Sequence, residues 1–382
     1  MIKRHLSNLI KERLKNYPAV ALLGARQSGK TTLARTFSEQ YFDLELEQDK
    51  LSLDLQWNEV ALPKAPVILD EAQNFPEIFP RIRAAIDQNR KATGRFLILG
   101  SVSPGLMKQV SEFLTGRIAI VELSPFDLNE LPKKPIDDLW LMGGFPDGGI
   151  LERSQYPQWQ RNYLDLLAMR DLPIWGLPAT APVTKRFFKI LAASHGFAWN
   201  ASMIGKSMGL SYHTVNSYLD FLEQTYLIRK LAPFAADIRK RLIKSPKIYW
   251  RDSGLLHALM DVHDFEDLIA RPWVGFSWES WVIEQFLTVL NNRGVQCEPF
   301  YFRTADGYEL DLVLRVKRKL WAFEMKLTTS PGKRDIDRVR KTAAIIGADR
   351  SVLVSRSNRT IRGQDAITTG IKGLLELISE IQ

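Results

Sequence analysis

The chain has 382 residues and a net charge of +9, and its content of 45% hydrophobic and 25% charged residues is typical of globular proteins. Its length exceeds what one hydrophobic core usually organises, so we expect two or three domains, and its charge favours an anionic partner. A single cysteine, Cys297, and no apolar run near the roughly 18 residues that cross a bilayer predict a cytoplasmic protein with no membrane partner.

A glycine-rich loop follows the first predicted strand, Ala19–Leu23. Its residues are Gly24, Ala25, Arg26, Gln27, Ser28, Gly29, Lys30, Thr31 and Thr32. They match G-x-x-x-x-G-K-[ST], whose backbone N–H groups surround phosphates at the start of a helix. We expect all nine to contact the nucleotide, with Lys30 supplying positive charge and Thr31 a hydroxyl ligand for Mg²⁺. The predicted cofactors are therefore ATP and Mg²⁺; the alternative is an ordinary strand–turn–helix with a spare lysine.

An acidic pair ends the next apolar strand, Val67-Ile68-Leu69-Asp70-Glu71, about forty residues after the loop. Asp70 is expected to hold the metal, directly or through water. Glu71 is expected to polarise the attacking water as a general base. Many apolar strands end in an acidic pair, so the pair indicates a metal site only because a glycine-rich loop precedes it.

Two further residues are candidates for contact with the γ-phosphate. Ser101 follows the apolar strand Phe96–Leu99 and is expected to sense the phosphate, unless Gly100-Ser101 is only a turn. Arg117 precedes the strand Ile118–Leu123 and is a candidate to stabilise the transferred phosphoryl group. It would act in its own subunit or across the interface of a homo-oligomer; the alternative is a surface arginine.

These motifs occur in an order that resembles a known family. The order is the loop from Gly24, then Leu69-Asp70-Glu71-Ala72-Gln73, Gly100-Ser101, Leu114-Thr115-Gly116-Arg117 and Gly143-Gly144-Phe145-Pro146. It is similar to prokaryotic AAA-type ATPases that carry a C-terminal domain of unknown function 4143. The resemblance implies a sheet in which the sensor strand lies between the two Walker strands, and Glu71 as the hydrolytic base. Ala25 stands where the family commonly has proline.

The middle of the chain contains two recognisable patterns. Trp159–Asp171 has helical spacing and predicts a lid or linker helix; Arg170 and Asp171 either contact nucleotide or form a salt-bridged connector. Farther on, a helix over Asn200–Met208, a turn, and a helix capped by Ser211 have helix-turn-helix spacing. Exposed polar residues of this last helix can bind phosphates or base edges: Tyr212, His213, Asn216 and Ser217.

A basic block follows this helix-turn-helix pattern. Between residues 229 and 251 the basic residues are Arg229, Lys230, Arg239, Lys240, Arg241, Lys244, Lys247 and Arg251, against the single acid Asp237. Strands Leu227–Leu231 and Lys247–Trp250 would form a wing, and the block lies between and on them. We expect a winged helix that contacts DNA or, alternatively, another protein.

Two C-terminal strands carry a second set of acids. Asp311 lies in Gly307–Leu314, and Glu324 and Lys326 lie in Leu320–Lys326. With Glu279 on a predicted upstream helix, this pattern resembles the PD-(D/E)xK restriction-endonuclease-like superfamily. Asp311 and Glu324 would share a Mg²⁺ that activates water, and Lys326 would orient that water. The alternative is a nuclease-like fold whose acids form local ion pairs.

The predicted fold class is therefore α/β: a P-loop NTPase of AAA type with a parallel sheet flanked by helices, then a winged helix and a restriction-endonuclease-like domain. The expected domain boundaries are 1–130, 131–182 for lid or linker helices, 183–250 for the winged helix, and 251–382. The predicted function is Mg²⁺-dependent ATP hydrolysis that drives or gates the C-terminal module, on DNA. The alternatives are an ATP-regulated DNA nuclease and a nucleotide-gated protein-binding switch.

Overall fold

The computed structural model describes residues 2–62, 65–100, 104–235 and 242–381. The strands are β1 (Ala19–Leu23), β2 (Tyr41–Asp43), β3 (Val67–Asp70), β4 (Phe96–Leu99), β5 (Ile118–Glu122), β6 (Ile228–Pro233), β7 (Lys247–Trp250), β8 (Glu298–Arg303), β9 (Glu309–Val316), β10 (Lys319–Met325), β11 (Arg350–Ser355), β12 (Ile361–Arg362) and β13 (Ala366–Gly370). They form one five-stranded and one eight-stranded sheet.

Helices cover both sheets and connect them. The α-helices are α1 (Leu6–Asn16), α2 (Lys30–Ala34), α3 (Glu47–Leu55), α4 (Trp57–Val60), α5 (Ile78–Gln88), α6 (Pro104–Leu114), α7 (Ile136–Met142), α8 (Gln158–Leu166), α9 (Leu172–Ile174), α10 (Ala181–Ala193), α11 (Ala201–Met208), α12 (Tyr212–Gln224), α13 (Ser253–Leu259), α14 (Phe265–Ile269), α15 (Val274–Asn292), α16 (Lys333–Ile345), α17 (Ile371–Glu376) and α18 (Ile378–Ile381). Short 3₁₀ or π turns lie at Ala72–Asn74, Pro146–Ile150, Arg153–Gln155 and Leu167–Asp171. Across the described ranges, no helix is both long and apolar enough to cross a membrane.

The first sheet is parallel throughout, with the order β2-β3-β4-β1-β5. Strand β4 therefore lies between β1 and β3, the order that the family resemblance implies. Alternate residues of β1 enter different cores: Ala19 and Ala21 join the one that includes α5, and Val20 and Leu22 join the one that includes α1. The central strands β1, β3 and β4 are buried on both faces, as a parallel sheet requires.

The predicted helix-turn-helix segment forms α11 and α12. Asn200 caps α11 by accepting a hydrogen bond from the Met203 amide, and Ser211 caps α12 by accepting one from the Thr214 amide at 3.0 Å. The following strands, β6 and β7, pair antiparallel as predicted for a wing. The two helices and the strand pair are confirmed, with α11 beginning one residue later than predicted, whereas the winged-helix name stays an interpretation.

The second sheet has the order β12-β13-β11-β10-β9-β8-β6-β7. Strand β6 pairs parallel with β8, so the wing strands and the C-terminal strands form one continuous sheet. Helix α15 packs against this sheet in the same core as α7, and the Trp140 indole N–H donates to Ser277 Oγ at 3.0 Å. The predicted α/β class, with a helix-flanked parallel sheet and a second sheet-rich C-terminal region, is confirmed. A restriction-endonuclease-like fold stays a prediction.

Candidate nucleotide site and the C-terminal acidic cluster

The glycine-rich loop joins the carboxyl end of β1 to the first turn of α2. Gly24 has φ of +155°, and a Cβ at this position would lie 2.2 Å from the Leu123 carbonyl oxygen. Gly29 has φ of +94° and immediately precedes α2. Only glycine fits the first position sterically, and the second favours glycine because other residues are strained in this region. The loop thus has the backbone curvature that the motif predicts.

The two predicted metal ligands are in direct contact. The Thr31 hydroxyl donates to Asp70 Oδ2 at 2.7 Å, which joins the start of α2 to the end of β3. The Tyr41 hydroxyl donates to the same oxygen at 2.9 Å. Burial, reinforced by the negative charge of Asp70, raises the pKa of Tyr41 well above its ordinary value, so it stays a hydrogen-bond donor. The fold therefore brings together a hydroxyl and a carboxylate that are 39 positions apart in the chain.

Lys30 is buried beside these residues. Its ammonium donates to the carbonyl oxygens of Gly24 at 3.1 Å and Ala25 at 2.9 Å. Burial lowers the pKa of Lys30 to about 8, partly opposed by the negative charges of Glu71 and Asp70. Glu71 has a left-handed backbone with φ of +48°, and its carboxylate accepts a hydrogen bond from the Gln73 amide group. Four of the expected catalytic and metal-binding residues, Lys30, Thr31, Asp70 and Glu71, thus lie together beside the loop.

Arg117 does not belong to this site. It precedes Ile118, which pairs with Ala19 at the start of β1, whereas the loop follows the other end of that strand. A strand of this length separates them by roughly 15 Å. The guanidinium of Arg117 instead contacts both carboxylate oxygens of Asp87 at 2.9 Å. The prediction that Arg117 acts on the phosphate of its own subunit is wrong, and action across an interface stays a prediction. Ser101 lies outside the described residues.

Residues from outside the first sheet hold the loop in place. The Arg26 side chain pairs with Asp171 at 2.6 Å, and the Tyr163 hydroxyl donates to the Arg26 carbonyl at 3.1 Å. On the other side, the Arg4 guanidinium donates to the Ser28 carbonyl at 2.9 Å. Asp171 also pairs with Arg170 at 2.9 Å, which confirms the salt-bridged connector. The middle region therefore contacts the loop through both a charge and a backbone carbonyl.

Arg251 connects the first sheet to helix α15. Its guanidinium pairs with Glu122, the last residue of β5, at 2.5 Å and with Glu284 of α15 at 3.1 Å. Arg229 of β6 contacts the same Glu284 carboxylate, with one N–O distance of 2.9 Å. Helix α15 also carries Glu279, so one rigid helix extends from the first sheet to the predicted C-terminal site.

The predicted C-terminal acids lie together in a buried cluster. Asp311 of β9 and Glu324 of β10 are on neighbouring strands, and Asp311 Oδ2 accepts a hydrogen bond from the Met325 amide at 2.9 Å. Glu324 pairs with Lys326 at 2.7 Å. Burial raises the pKa of Glu324 to about 8 and that of Glu279 to about 7, and in both cases the charge of Asp311 adds to the effect. We call these acids, together with Glu309, the acidic cluster.

A lysine that the sequence pattern did not assign to this site occupies the acidic cluster. Lys247, the first residue of β7, has a side chain that is only 2% exposed. Its ammonium lies 3.0 Å from Glu279, 2.9 Å from Glu309 and 3.6 Å from Asp311. The Tyr249 hydroxyl donates to the same Glu279 oxygen. The sequence alone placed Lys247 in the basic block. The acids that it contacts lie 32 to 64 positions away in the chain, so no local pattern links them to it.

Three family profiles match successive parts of the chain: the AAA domain at residues 16–132, the domain of unknown function DUF8612 at 133–266, and the domain of unknown function DUF4143 at 274–372. Two similar relatives are the uncharacterized proteins Rv2008c of Mycobacterium tuberculosis and Mb2031c of Mycobacterium bovis. Each is 34% identical over 334 residues, which cover 86% of this chain and 75% of the relative. The chain belongs to the AAA-family P-loop ATPases with a C-terminal DUF4143 domain.

Two solved structures also align with this AAA-family chain. The Walker-type ATPase PABY2304 of Pyrococcus abyssi is 16% identical, with a TM-score of 0.45 over 68% of this chain and 96% of its own. Protein VC1899 from Vibrio cholerae is 11% identical, with a TM-score of 0.20 over 95% of this chain and 97% of its own. At these scores neither alignment bears on function.

Within the described residues, most basic side chains of the block form ion pairs with carboxylates of the same chain. Arg229 and Arg251 contact Glu284, Lys247 contacts the acidic cluster, and Lys230 pairs with Asp220 at 2.6 Å. Of the block's described members only Lys244 is exposed, and Arg239, Lys240 and Arg241 lie outside the described residues. These four side chains are paired with carboxylates, and contact of the block with DNA stays a prediction.

Proposed function

We propose that this protein binds ATP with Mg²⁺ at the glycine-rich loop and hydrolyses it there. The observation that carries the proposal is the contact between the Thr31 hydroxyl and Asp70 beside the buried Lys30. A hydroxyl and a carboxylate are the oxygen ligands that Mg²⁺ takes in nucleotide sites. Membership of the AAA family supports the ATPase activity.

The loop's own atoms fit a bound nucleotide. Ser28 is fully buried, and its Oγ has no hydrogen-bond partner among the described residues, so it is available to a phosphate oxygen. Thr31 and Asp70 would hold Mg²⁺, which when bound neutralises charge on the β- and γ-phosphates. Lys30 would exchange two carbonyl oxygens for phosphate oxygens. Glu71, oriented by Gln73, would accept a proton from the attacking water.

Replacing the proposed base tests hydrolysis directly. In steady-state assays with ATP and Mg²⁺, Glu71→Gln should lower turnover by about 10²-fold or more, because the amide cannot accept the proton. The matched control is Glu77→Gln, an exposed acid at the start of α5, which should behave as wild type. Equal turnover in Glu71→Gln and wild type would exclude Glu71 as the base. An ATP affinity that survives in Glu71→Gln would show that only the chemical step is lost.

We further infer that the nucleotide state of the loop moves the middle region and α15. Asp171, Tyr163 and Arg4 all bind loop residues, so a loop that rearranges around phosphates must change these contacts. Arg251 then transmits movement from the end of β5 to Glu284 of α15. ATP would thus gate the C-terminal module.

Hydrogen exchange measures this coupling. Saturating Glu71→Gln with ATP should change amide exchange in residues 158–175 and 274–292, and the same ATP should leave Lys30→Ala unchanged. A change confined to the loop and α2 would contradict gating while leaving the ATPase proposal intact.

The remaining predictions concern what the gated module acts on. The exposed side chains Tyr212, His213 and Ser217 support contact with DNA or protein, whereas Asn216 accepts a hydrogen bond from Trp199 at 2.7 Å. An affinity for DNA that falls steeply with salt would favour DNA. Nuclease action stays a prediction for which the pairing of Lys247 with the acids gives no support. A homo-oligomer in which Arg117 acts across an interface also stays a prediction.

A further inference from the structure

The resemblance to restriction-endonuclease-like domains implies a Mg²⁺ shared by Asp311 and Glu324, and a protein cation, the ammonium of Lys247, lies 3.6 Å from one of these acids, Asp311. Mg²⁺ takes near-octahedral oxygen ligands at about 2.0–2.1 Å. Within the described ranges, three potential ligand atoms of different residues come within 4.8 Å of one another only at His5, Asp127 and Glu130. Glu279, Asp311 and Glu324 do not form such a three-residue group, and Glu324 Oε2 is buried without a hydrogen-bond partner among the described residues.

The position between the acids is filled by a protein cation. The Lys247 ammonium is within 3.6 Å of oxygens from Glu279, Glu309 and Asp311. A dication held by these oxygens would lie next to that ammonium, and like charges at such a distance repel strongly in a buried site. The Asp311 oxygen that does not face Lys247 is occupied by the Met325 amide.

The remaining acid is compensated separately. Glu324 pairs through one oxygen with Lys326, whose side chain is 35% exposed and touches no other acid at salt-bridge distance within the described chain. Three of the acids thus contact Lys247, with Glu309 also 3.5 Å from the Arg303 guanidinium, and the fourth pairs with Lys326.

Strand β7 fixes Lys247 at this position. Ile248 accepts a backbone hydrogen bond from Gly196 at 2.8 Å, and the Trp250 amide donates to His195 Nδ1 at 3.1 Å. The ammonium also lies 5.6 Å from the centre of the Tyr301 ring, a cation–π distance. A flexible surface lysine would not have this set of restraints.

We propose that the Lys247 ammonium takes the place of a divalent cation among Glu279, Glu309 and Asp311, so that a lysine and not a metal compensates these three carboxylates. The inference goes beyond the proposed ATPase function and does not depend on it. It predicts that the wild-type chain has no divalent-cation site formed by Asp311, and that removing the lysine's charge creates one.

Mn²⁺ binding to the full-length, nucleotide-free chain tests this proposal, with free Mn²⁺ measured by electron paramagnetic resonance. Wild type and Asp311→Asn should bind Mn²⁺ equally. Lys247→Met should gain a site that binds at least about tenfold more tightly, and the double variant Lys247→Met with Asp311→Asn should lose it. Lys247→Arg and Lys326→Met, the matched controls, should behave as wild type. Asp70→Asn, which changes the loop site, should not affect the new site.

Two results would overturn the proposal. The first is a wild-type Mn²⁺ site that disappears in Asp311→Asn, a comparison that does not require Lys247→Met to fold. The second is a Lys247→Met protein that is folded by circular dichroism and binds Mn²⁺ no better than wild type.

Discussion

Lys30 in the loop and Lys247 in the acidic cluster are both buried lysines beside carboxylates, but they contact different kinds of oxygen. Lys30 donates to two backbone carbonyls, and Asp70 is left to face the Thr31 hydroxyl. Lys247 contacts three carboxylates. Carbonyl contacts are readily exchanged for phosphate contacts, whereas a buried ammonium among anions is costly to displace. The partners of each lysine therefore distinguish the two sites: the loop can accept a ligand, whereas the position among the C-terminal acids is already occupied by Lys247.

The largest expected effect is on stability at the acidic cluster. Lys247→Met should lower the free energy of unfolding by about 3–5 kcal/mol, because it leaves buried carboxylates without a counter-charge. Lys326→Met removes a lysine that is partly exposed and pairs with one buried acid, so it should lower the free energy of unfolding by less than Lys247→Met does. Chemical denaturation followed by circular dichroism measures both variants. An equal loss of unfolding free energy in the two variants would contradict the different roles given to the two lysines.

A smaller effect is expected from pH at the loop. Because burial lowers the pKa of Lys30 to about 8, its ammonium is charged below that pH and becomes neutral above it. Affinity for ATP in the presence of Mg²⁺ should therefore be level below pH 8 and fall by about tenfold per pH unit above it. Equilibrium titrations from pH 6.5 to 9.5 measure this. Lys30→Arg should remove the pH dependence, and a level wild-type profile would contradict the assignment.

The smallest effect is expected at Arg117, which lies at the edge of the first sheet away from the loop. Arg117→Ala should change ATP turnover by no more than about twofold, as surface substitutions usually do. Asp87→Ala, which removes its partner, should give the same result. A loss near 10³-fold would instead indicate an arginine that reaches the phosphate of a neighbouring copy. Its dependence on protein concentration would then identify the oligomer.

Local patterns were enough to predict much of the first sheet and its site. The loop, Asp70 and Glu71 are short motifs at strand ends, and in a parallel sheet all carboxyl ends of the strands meet at one edge. The predicted cap at Ser211 is equally local, since its side chain accepts a hydrogen bond from the amide three residues ahead. The prediction that Arg117 acts within its own subunit is wrong because its motif precedes a strand and so lies at the opposite edge of the sheet.

The sequence by itself determined that this chain has a phosphate-binding loop with its acids, a capped helix pair and two acid-bearing C-terminal strands, because each is encoded within a few neighbouring residues. Only the tertiary structure decided where the charges of the basic block go. Arg229 and Arg251 meet Glu284, and Lys247 meets the acidic cluster, through contacts between residues 32 to 64 positions apart. A run of positive charge has the same appearance in sequence whether solvent or buried carboxylates surround it.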